Sequence, residues 1–268
     1  MGTYKALTIA GSDSGGGAGI QADIKTFQEL QVFGMTAITA ITSQNTLGVQ
    51  DVFPIPVETI TSQLKSIADD LTPDALKTGM LFSSELIEAV SEAIRMYSFR
   101  NLVVDPVMVA KGGAQLLQEE AVEAVKNHLI PLATIITPNI PEAEVLTGKN
   151  IKTIEDRKEA AKWLKDLGAE HVIIKGGHGL EEMAVDLYYD GTNFELLSTP
   201  RLQTKNTHGT GCTFSAAITA NLAKGKSVFA AVQDAKNYIQ LAIQHDLKIG
   251  SGHGPTNHWA HRLEGVSL

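Results

Sequence analysis

Apolar, β-branched segments alternate with amphipathic segments along most of this chain, and the alternation limits the possible folds more than any other feature. KALTIAG (residues 5–11) and HVIIKGG (171–177) are typical of buried strands, whereas IQADIKTFQEL (20–30) and EEAVEAVKNHLI (119–130) have the apolar spacing of helices. Strands separated by helices of about ten to fifteen residues are typical of right-handed βαβ units. The pattern predicts an α/β fold with a parallel sheet.

The pattern changes after residue 177. The segment MAVDLYYDGTNFELLSTP (183–200) predicts two strands joined by Asp190 and Gly191, which are favoured in hairpin turns. Because hairpin strands are antiparallel, this segment is expected at one edge of the sheet. Two helices are predicted after it, over 211–225 and 228–245. No Pro/Ser-rich linker or charge run divides the sequence, so we expect one domain over residues 1–268.

The composition indicates in which cellular compartment the protein is found and which classes of partner it can bind. No stretch approaches about 18 consecutive apolar residues, and the first residues lack the long apolar region of a secretory signal. A single cysteine cannot form an internal disulfide, which agrees with a reducing compartment. We therefore expect a cytoplasmic protein with no membrane partner. The net charge of −8 also argues against a nucleic-acid partner, so any phosphate ligand must be bound by local devices.

Glycine-rich and polar clusters follow several predicted strands. They are GSDSGGGAG, TSQNTLG, KTGM, VDPVM, TPNIPE and IKGGH. In open α/β sheets, ligands bind beyond the carboxyl ends of the strands. The clusters therefore predict one cleft lined by many loops. The eight histidines show no metal-site spacing, and His208 is the one expected near the chemistry, as a loop residue.

The segment NTHGTGCTFSAA (206–217) places two glycines and Cys212 at the start of a predicted helix. A helix start exposes unpaired N–H groups and the positive end of the helix dipole, which attract anions and lower the pKa of a thiol. The segment is therefore expected to bind phosphate beside a thiol that accepts a proton. A glycine turn followed by a structural, buried cysteine is an equally good interpretation of this segment alone.

Three further positions each allow a structural and a functional interpretation. Asn139 and Glu142 have the spacing of a helix capping box, but their oxygens also suit a hydrated Mg²⁺ ion. Asp105 follows a buried strand, either as a loop hydrogen-bond acceptor or as a second group near the metal. Lys175 either delivers an ammonium group to the cleft or extends to solvent.

With GGGAGIQAD, TPNIPEAE and NTHGTGCTFSAA considered together, the chain resembles the ribokinase-like superfamily. Within it, the chain is most similar to the hydroxymethylpyrimidine and hydroxymethylpyrimidine phosphate kinases of thiamin biosynthesis. The resemblance implies a three-layer α/β/α fold with a mostly parallel sheet, an antiparallel edge hairpin and no separate lid domain. It implies MgATP-dependent phosphorylation of the pyrimidine's hydroxymethyl group and then of the monophosphate, with ATP and Mg²⁺ as cofactors. Because no inserted lid domain is evident, loops or a partner subunit must exclude water, and we expect a homodimer.

The resemblance also assigns site residues. The anion hole and the proton acceptor are Gly209, Thr210, Gly211 and Cys212. The ATP-binding residues are Lys175, Asn139, Glu142 and Thr207, and the metal-binding residues are Glu142 and Asp105. The pyrimidine pocket is formed by Gln44, Ala18, Asp23, Met80 and Val107, of which Gln44 recognises the ring.

Two other functions stay open at the level of sequence. Pyridoxal and pyridoxine kinases share the glycine loop, the Asn-x-x-Glu motif and the cysteine, so they are the nearest alternative. The SQNTLG segment favours the pyrimidine, because the Gln44 amide can both donate to and accept from an aminopyrimidine edge. A non-catalytic nucleotide-binding protein of the same fold is the second alternative.

Overall fold

The computed structural model describes residues 2–108, 120–177, 182–263 and 265. Glu119, at the start of one predicted helix, and His178, in the IKGGH cluster, lie outside the described residues. The strands are β1 (Lys5–Asp13), β2 (Phe33–Asn45), β3 (Gly48–Pro54), β4 (Ala75–Thr78), β5 (Leu102–Val104), β6 (Ile135–Ile136), β7 (His171–Ile174), β8 (Met183–Tyr189) and β9 (Phe194–Pro200). The helices are α1 (Gly19–Glu29), α2 (Val57–Asp70), α3 (Ser84–Met96), α4 (Ala121–Ala124), α5 (Ile140–Thr147), α6 (Ile154–Asp166), α7 (Thr210–Ala223) and α8 (Val228–Gln244).

The described strands form one sheet in the order β3-β2-β1-β4-β5-β6-β7-β8-β9. The pairs from β2 through β1 to β7 are parallel, which confirms the prediction from the βαβ alternation. The predicted hairpin is also confirmed, because β8 pairs antiparallel with β7 and β9. The β8–β9 turn depends on Asp190, whose carboxylate accepts hydrogen bonds from the Thr192 and Asn193 amides.

Helices cover both faces of the sheet. Alternate residues of a strand point to opposite faces, so Leu7 and Ile9 of β1 pack under the layer of α2 to α6. Ala6 of the same strand faces the other layer, which α1, α7 and α8 form. This arrangement is the expected three-layer α/β/α fold. No helix in the described ranges is long and apolar enough to cross a membrane.

The structure differs from the sequence prediction at two elements. Strand β3 was not predicted, because most of its residues are exposed on both faces and give no apolar alternation. It pairs antiparallel with β2 and adds a second antiparallel edge. The helix predicted over 119–130 is regular only in α4, continues as a π-helical turn at Val125–Leu129 and ends in a 3₁₀ turn containing Pro131. Proline lacks the N–H that a regular helix needs there.

The order of the strands sets the position of the cleft. The chain runs from β1 to β2 and β3 on one side, and then returns to place β4 on the other side of β1. The connection after β1 therefore leads toward one edge of the sheet, and the connection after β4 leads toward the other edge. Ligands bind at such a switch point between two neighbouring strands. Asp13 ends β1 and Thr78 ends β4 at this point.

Candidate active site

Two glycine turns pack directly against each other at the switch point. Gly209, which precedes α7, has a φ of +78°, and a Cβ atom there would collide with the Gly17 carbonyl oxygen. Only glycine fits a left-handed residue in such close backbone contact. The loop between β1 and α1 and the start of α7 therefore form one continuous backbone surface.

Asp13 holds the first glycine turn in place. Its carboxylate accepts hydrogen bonds from the amides of Gly15 (2.8 Å), Gly17 (3.0 Å) and Ala18 (2.8 Å). Its Oδ2 atom also lies 2.8 Å from Nε2 of His208. Burial acts to raise the pKa of Asp13, but His208 and the backbone amides outweigh it and lower the pKa below its ordinary value. The buried carboxylate thus serves as a fixed acceptor that shapes the loop.

The start of α7 is where the anion hole is predicted. The helix has no side-chain cap, and a helix without one leaves first-turn amides available to a ligand. The Thr210 amide instead donates to the Thr207 carbonyl oxygen at 3.3 Å. The Thr210 hydroxyl donates to the same oxygen at 2.7 Å, so Thr207 braces the turn. Gly211 and Cys212 are therefore the stronger candidates for amides that bind phosphate.

Lys175 and Asp105 meet beside this helix start. Nζ of Lys175 donates to Oδ1 of Asp105 at 3.0 Å, and the Ser215 hydroxyl of α7 donates to Oδ2 at 3.2 Å. A Cβ atom on Gly211 would lie 3.4 Å from Nζ of Lys175, which places the ammonium against the helix start. Burial disfavours the charge, but Asp105 and Glu142 outweigh it and raise the pKa of Lys175. Lys175 therefore remains a cation next to the candidate phosphate site.

The capping interpretation of Asn139 and Glu142 is confirmed. Oδ1 of Asn139 accepts from the Glu142 amide at 2.9 Å, and Oε2 of Glu142 accepts from the Asn139 amide at 2.7 Å. Burial, together with the nearby Asp105 carboxylate, raises the pKa of Glu142 to about 7, although Lys175 and Asn139 act in the opposite direction. Capping does not exclude a second role, because a carboxylate has a second oxygen.

The carboxylates fit Mg²⁺ better than a metal bound only by protein. No group of three or more His, Cys, Asp or Glu side chains that can hold a metal occurs in the described ranges. Asp105 and Glu142 are close enough that the charge of one raises the pKa of the other. A cation offsets this repulsion, and Mg²⁺ ordinarily uses one or two carboxylates together with water and substrate phosphates. The residues present therefore fit a hydrated Mg²⁺ ion.

The expectation that the Asp23 side chain lines the substrate pocket is wrong. Asp23 is fully buried, its two oxygens accept from Nζ of Lys77 at 2.9 and 3.0 Å, and Thr8 donates to it at 2.6 Å. Burial disfavours the charge on Lys77, but Asp23 and other nearby anionic groups raise its pKa. A buried pair with this geometry satisfies both partners. Asp23 therefore lies beneath the cleft, as half of an internal ion pair.

The expectation of a lowered thiol pKa is also wrong. Burial raises the pKa of Cys212 to about 12, and the charges of Asp23 and Asp105 act in the same direction. Lys77 and the Gly19 amide favour the thiolate but do not offset these effects. The helix dipole is one contribution among several, and desolvation is larger for this partly buried side chain. With this pKa, we expect Cys212 to be a neutral thiol near neutral pH.

The other residues predicted for the pyrimidine pocket lie near the end of β1, and their role in binding stays a prediction. Met80 packs with Ala40 and the partly buried Val107 in a small apolar cluster. Gln44 of β2 approaches His208, with Nε2 of each side chain 3.3 Å apart. Ala18 contributes to the glycine turn that Asp13 holds. Gln44 and Ala18 thus both lie beside the contact between Asp13 and His208.

An open cavity of about 610 Å³ lies beside the start of the 206–212 turn. It is lined by Leu202, Gln203, Thr204, Lys205, Asn206, Ile243, Gln244, Asp246, Lys248 and Gly250. The Asp246 carboxylate accepts hydrogen bonds from Thr204 (2.6 Å) and Asn206 (2.8 Å), which fixes the segment before the turn. The volume is sufficient for a small organic ligand.

Sequence reasoning missed two supports of the site. Lys77 was noted only within the KTGM cluster, although a lysine inside a short apolar strand signals a buried ion pair. Ser215 was not singled out, because a serine inside an alanine-rich helix resembles packing; its hydroxyl donates to Asp105. Both residues act through partners distant in sequence, which spacing does not reveal.

Comparison with known proteins agrees with this geometry. A model of the phosphomethylpyrimidine kinase family matches residues 13–257. The hydroxymethylpyrimidine/phosphomethylpyrimidine kinase of Bacillus subtilis is 58% identical over 268 residues, covering 100% of this chain and 99% of that protein. The pyridoxine kinase of the same organism is 49% identical over 267 residues, covering 98% of each protein. A crystal structure of an ADP complex of Bacillus subtilis pyridoxal kinase has a TM-score of 0.91 and 49% identity, covering 98% of this chain and 100% of that one.

The similarity extends over nearly the whole chain and includes each part of the cleft described above. The glycine turn that Asp13 holds begins at the first matched residue, and the match continues beyond the start of α7. Identity at this level over the full length establishes more than a shared fold. The chain is a kinase, and it belongs to the phosphomethylpyrimidine kinase family.

Proposed function

We propose that this protein transfers the γ-phosphoryl group of ATP to the hydroxymethyl group of 4-amino-5-hydroxymethyl-2-methylpyrimidine, and then to the resulting monophosphate, in thiamin biosynthesis. The proposal rests on one observation. Lys175 lies against the uncapped start of α7, so a cation and open amides form a phosphate site at the same switch point as the Gln44 pocket. We propose that residues 1–268 act as one catalytic domain.

Positioning and charge account for most of the proposed catalysis. The transferred phosphoryl group passes through a loose transition state whose charge is spread over its oxygens. Lys175 and the amides of Gly211 and Cys212 stabilise that charge without reorganising. Asp105 holds the lysine in place, and the close packing of the two glycine turns holds the amides in place. Asn139 keeps Glu142 beside this cluster through the capping box.

Asp105 and Glu142 are proposed to hold Mg²⁺ with the ATP phosphates. The ion supplies neutralisation of phosphate charge and orientation of the phosphoryl group. Glu142 must be ionised to hold the ion, and its pKa of about 7 means that the carboxylate is easily deprotonated near neutral pH. Lys175 keeps Asp105 ionised in the absence of the metal.

Cys212 is proposed to accept the proton of the substrate hydroxyl. Because burial holds its pKa near 12, only a small fraction of the thiol is ionised near neutral pH, and that fraction grows with pH. A loose transition state requires little help from a base, so the thiol also contributes by placing the hydroxyl group. The nearby Lys77 ammonium favours the thiolate when it forms.

The pyrimidine is preferred to pyridoxine because of Gln44. A carboxamide offers a donor and an acceptor side by side, as the amino group and adjacent nitrogen of the pyrimidine do. The relatives include both a pyrimidine kinase and a pyridoxine kinase, and the former is more similar, at 58% against 49% identity. Pyridoxine kinase activity is therefore the second candidate function.

The open cavity at residues 202–206 is proposed to bind the nucleoside of ATP.

We propose a cytoplasmic homodimer. ATP is supplied in the cytoplasm, and a reducing compartment suits the single cysteine. Strand β3 pairs with the second half of β2 as a two-stranded ribbon at the edge of the sheet, next to the end of β1. The cross-strand pair Ile41 and Phe53 exposes two apolar side chains on this ribbon. A second copy that covers them would also shield the cleft from water.

Release of ADP in the presence of different acceptors tests the proposal. The panel contains the hydroxymethylpyrimidine, its monophosphate, pyridoxine, pyridoxal and ribose, each with MgATP. We expect kcat/KM to be highest for the two pyrimidines. ADP release that is highest with pyridoxine would establish the second candidate function instead. Nucleotide binding without acceptor-dependent ADP release would contradict both kinase proposals.

A further inference from the structure

Asp186 is a buried carboxylate on strand β8, and both of its oxygens accept a hydrogen bond. Oδ1 accepts from the Gly176 amide at 2.7 Å, and Oδ2 accepts from Nζ of Lys236 at 2.7 Å. Lys236, on α8, is also buried and donates to the Ala184 carbonyl oxygen at 3.2 Å. The ion pair therefore joins α8 to the residue that directly follows Lys175.

The contact with Gly176 takes the place of a bond of the sheet. The regular ladder between β7 and β8 stops at the last residue of β7, and in its register Gly176 would lie opposite Val185. Instead, the Gly176 amide donates to Asp186. The Val185 carbonyl oxygen accepts from the buried Arg157 at 2.8 Å. Two side chains thus end the ladder and set the point at which the chain leaves β8.

The backbone around Lys175 is held from both sides. On the side of β6, the Lys175 amide donates to the Pro138 carbonyl oxygen at 2.8 Å. On the side of β8, the next amide, that of Gly176, donates to Asp186. Arg201 donates to the carbonyl oxygens of Gly176 and of the residue after it, which belong to later peptides. Asp186 is thus the side chain that holds the peptide between Lys175 and Gly176.

A fixed backbone matters for Lys175 because its ammonium group stands at the end of a flexible side chain. Nζ donates to Asp105 at 3.0 Å beside the start of α7. Asp105 is also a proposed metal ligand, so the backbone is the anchor that does not depend on the ligands bound. We propose that Asp186 is a positioning residue for phosphoryl transfer, which keeps the Lys175 ammonium at the start of α7 by holding the Gly176 amide. The inference deepens the proposed function and rests on the role of Lys175 in it.

The ion pair and the hydrogen bond to Gly176 can be removed separately. A well-packed apolar pair of similar volume can replace a buried ion pair without loss of stability. The charges of Asp186 and Lys236 can therefore be removed together, while the acceptor for the Gly176 amide is either kept or removed. An asparagine side chain keeps a carbonyl oxygen as the acceptor, whereas a leucine side chain of similar size has none.

Two double variants that differ only at position 186 test the role of Asp186. Asp186→Asn with Lys236→Met keeps the acceptor, and Asp186→Leu with Lys236→Met removes it. Turnover is measured with MgATP and the hydroxymethylpyrimidine, and thermal unfolding checks that both variants are folded. We expect kcat of the first variant to exceed that of the second at least about tenfold, because the lysine charge acts in the transition state. The KM for the pyrimidine should be the same in both. Equal kcat values would make the pair only structural and overturn the inference.

The same two variants in a Lys175→Ala background show whether Asp186 acts through the lysine. Without the ammonium group, loss of the Gly176 contact should cost nothing more, so the difference in kcat should fall below about twofold. A difference that persists in full would contradict the inference. If the wild type phosphorylates pyridoxine and not the pyrimidine, the proposed substrate is wrong, but the same comparison with pyridoxine still tests Asp186.

Hydrogen exchange in the wild-type protein does not depend on the folding of the variants. The Gly176 amide donates to a buried carboxylate, so we expect it to exchange slowly, as the amides of β7 do. Exchange of this amide in the folded protein at the rate of an unfolded chain would show that Asp186 does not hold it, and would overturn the inference.

Discussion

Cys212 shows how the surroundings of a residue overrule its position on a helix. The helix start alone would favour a thiolate, but burial and the carboxylates of Asp23 and Asp105 raise the pKa to about 12. We therefore expect a protonated thiol that reacts slowly with alkylating agents. Cys212 can accept a proton only in the fraction of molecules in which its thiol is ionised.

The pH profile of turnover tests the role of Cys212. A group with a raised pKa gains its ionised form as pH increases, so we expect wild-type kcat to rise with pH above 7. Cys212→Ala should bind MgATP normally and lose roughly 10²- to 10⁴-fold in kcat. Cys212→Asp should recover part of the rate with a flatter profile, because a carboxylate ionises at much lower pH. A flat wild-type profile together with an active Cys212→Ala variant would leave Cys212 a packing residue.

Some strands and helices can be predicted from their sequences, whereas others cannot. Strands with a buried face, such as β1 and β7, and helices with one apolar stripe, such as α3, follow from apolar periodicity. Strand β3 does not, because its side chains are mostly exposed and give no apolar alternation, although it pairs with β2. The sequence likewise predicted the capping box of α5, since its residues are adjacent in the chain.

The β2–β3 ribbon is expected to form the contact between the two subunits of the proposed dimer. Phe53 is 63% exposed and lies opposite Ile41, which is an unfavourable surface for a monomer in water. We expect Phe53→Glu to convert a dimer into a monomer, measured by sedimentation velocity at micromolar concentrations. Phe33→Glu, at the other end of β2, is the matched control and should remain dimeric. A wild-type protein that sediments as a monomer would contradict the dimer proposal.

At the scale of the whole molecule, the fold brings together groups that the sequence keeps far apart. The alternation of segments predicted the sheet, and the clusters at strand ends predicted the cleft. Contacts between distant residues, such as Lys77 with Asp23 and His208 with Asp13, depend on the strand order and on burial. For this reason sequence patterns predict the strands and helices better than they predict the buried ion pairs and the protonation states.

The identity of the reaction products tests the central claim most directly. Phosphorus NMR follows purified enzyme with MgATP and the hydroxymethylpyrimidine. We expect a phosphomonoester signal on the pyrimidine first, and then the coupled pair of signals of a diphosphate, as ADP accumulates. ATP consumption that places no phosphate on the pyrimidine, while pyridoxine under the same conditions becomes a phosphomonoester, would contradict the account.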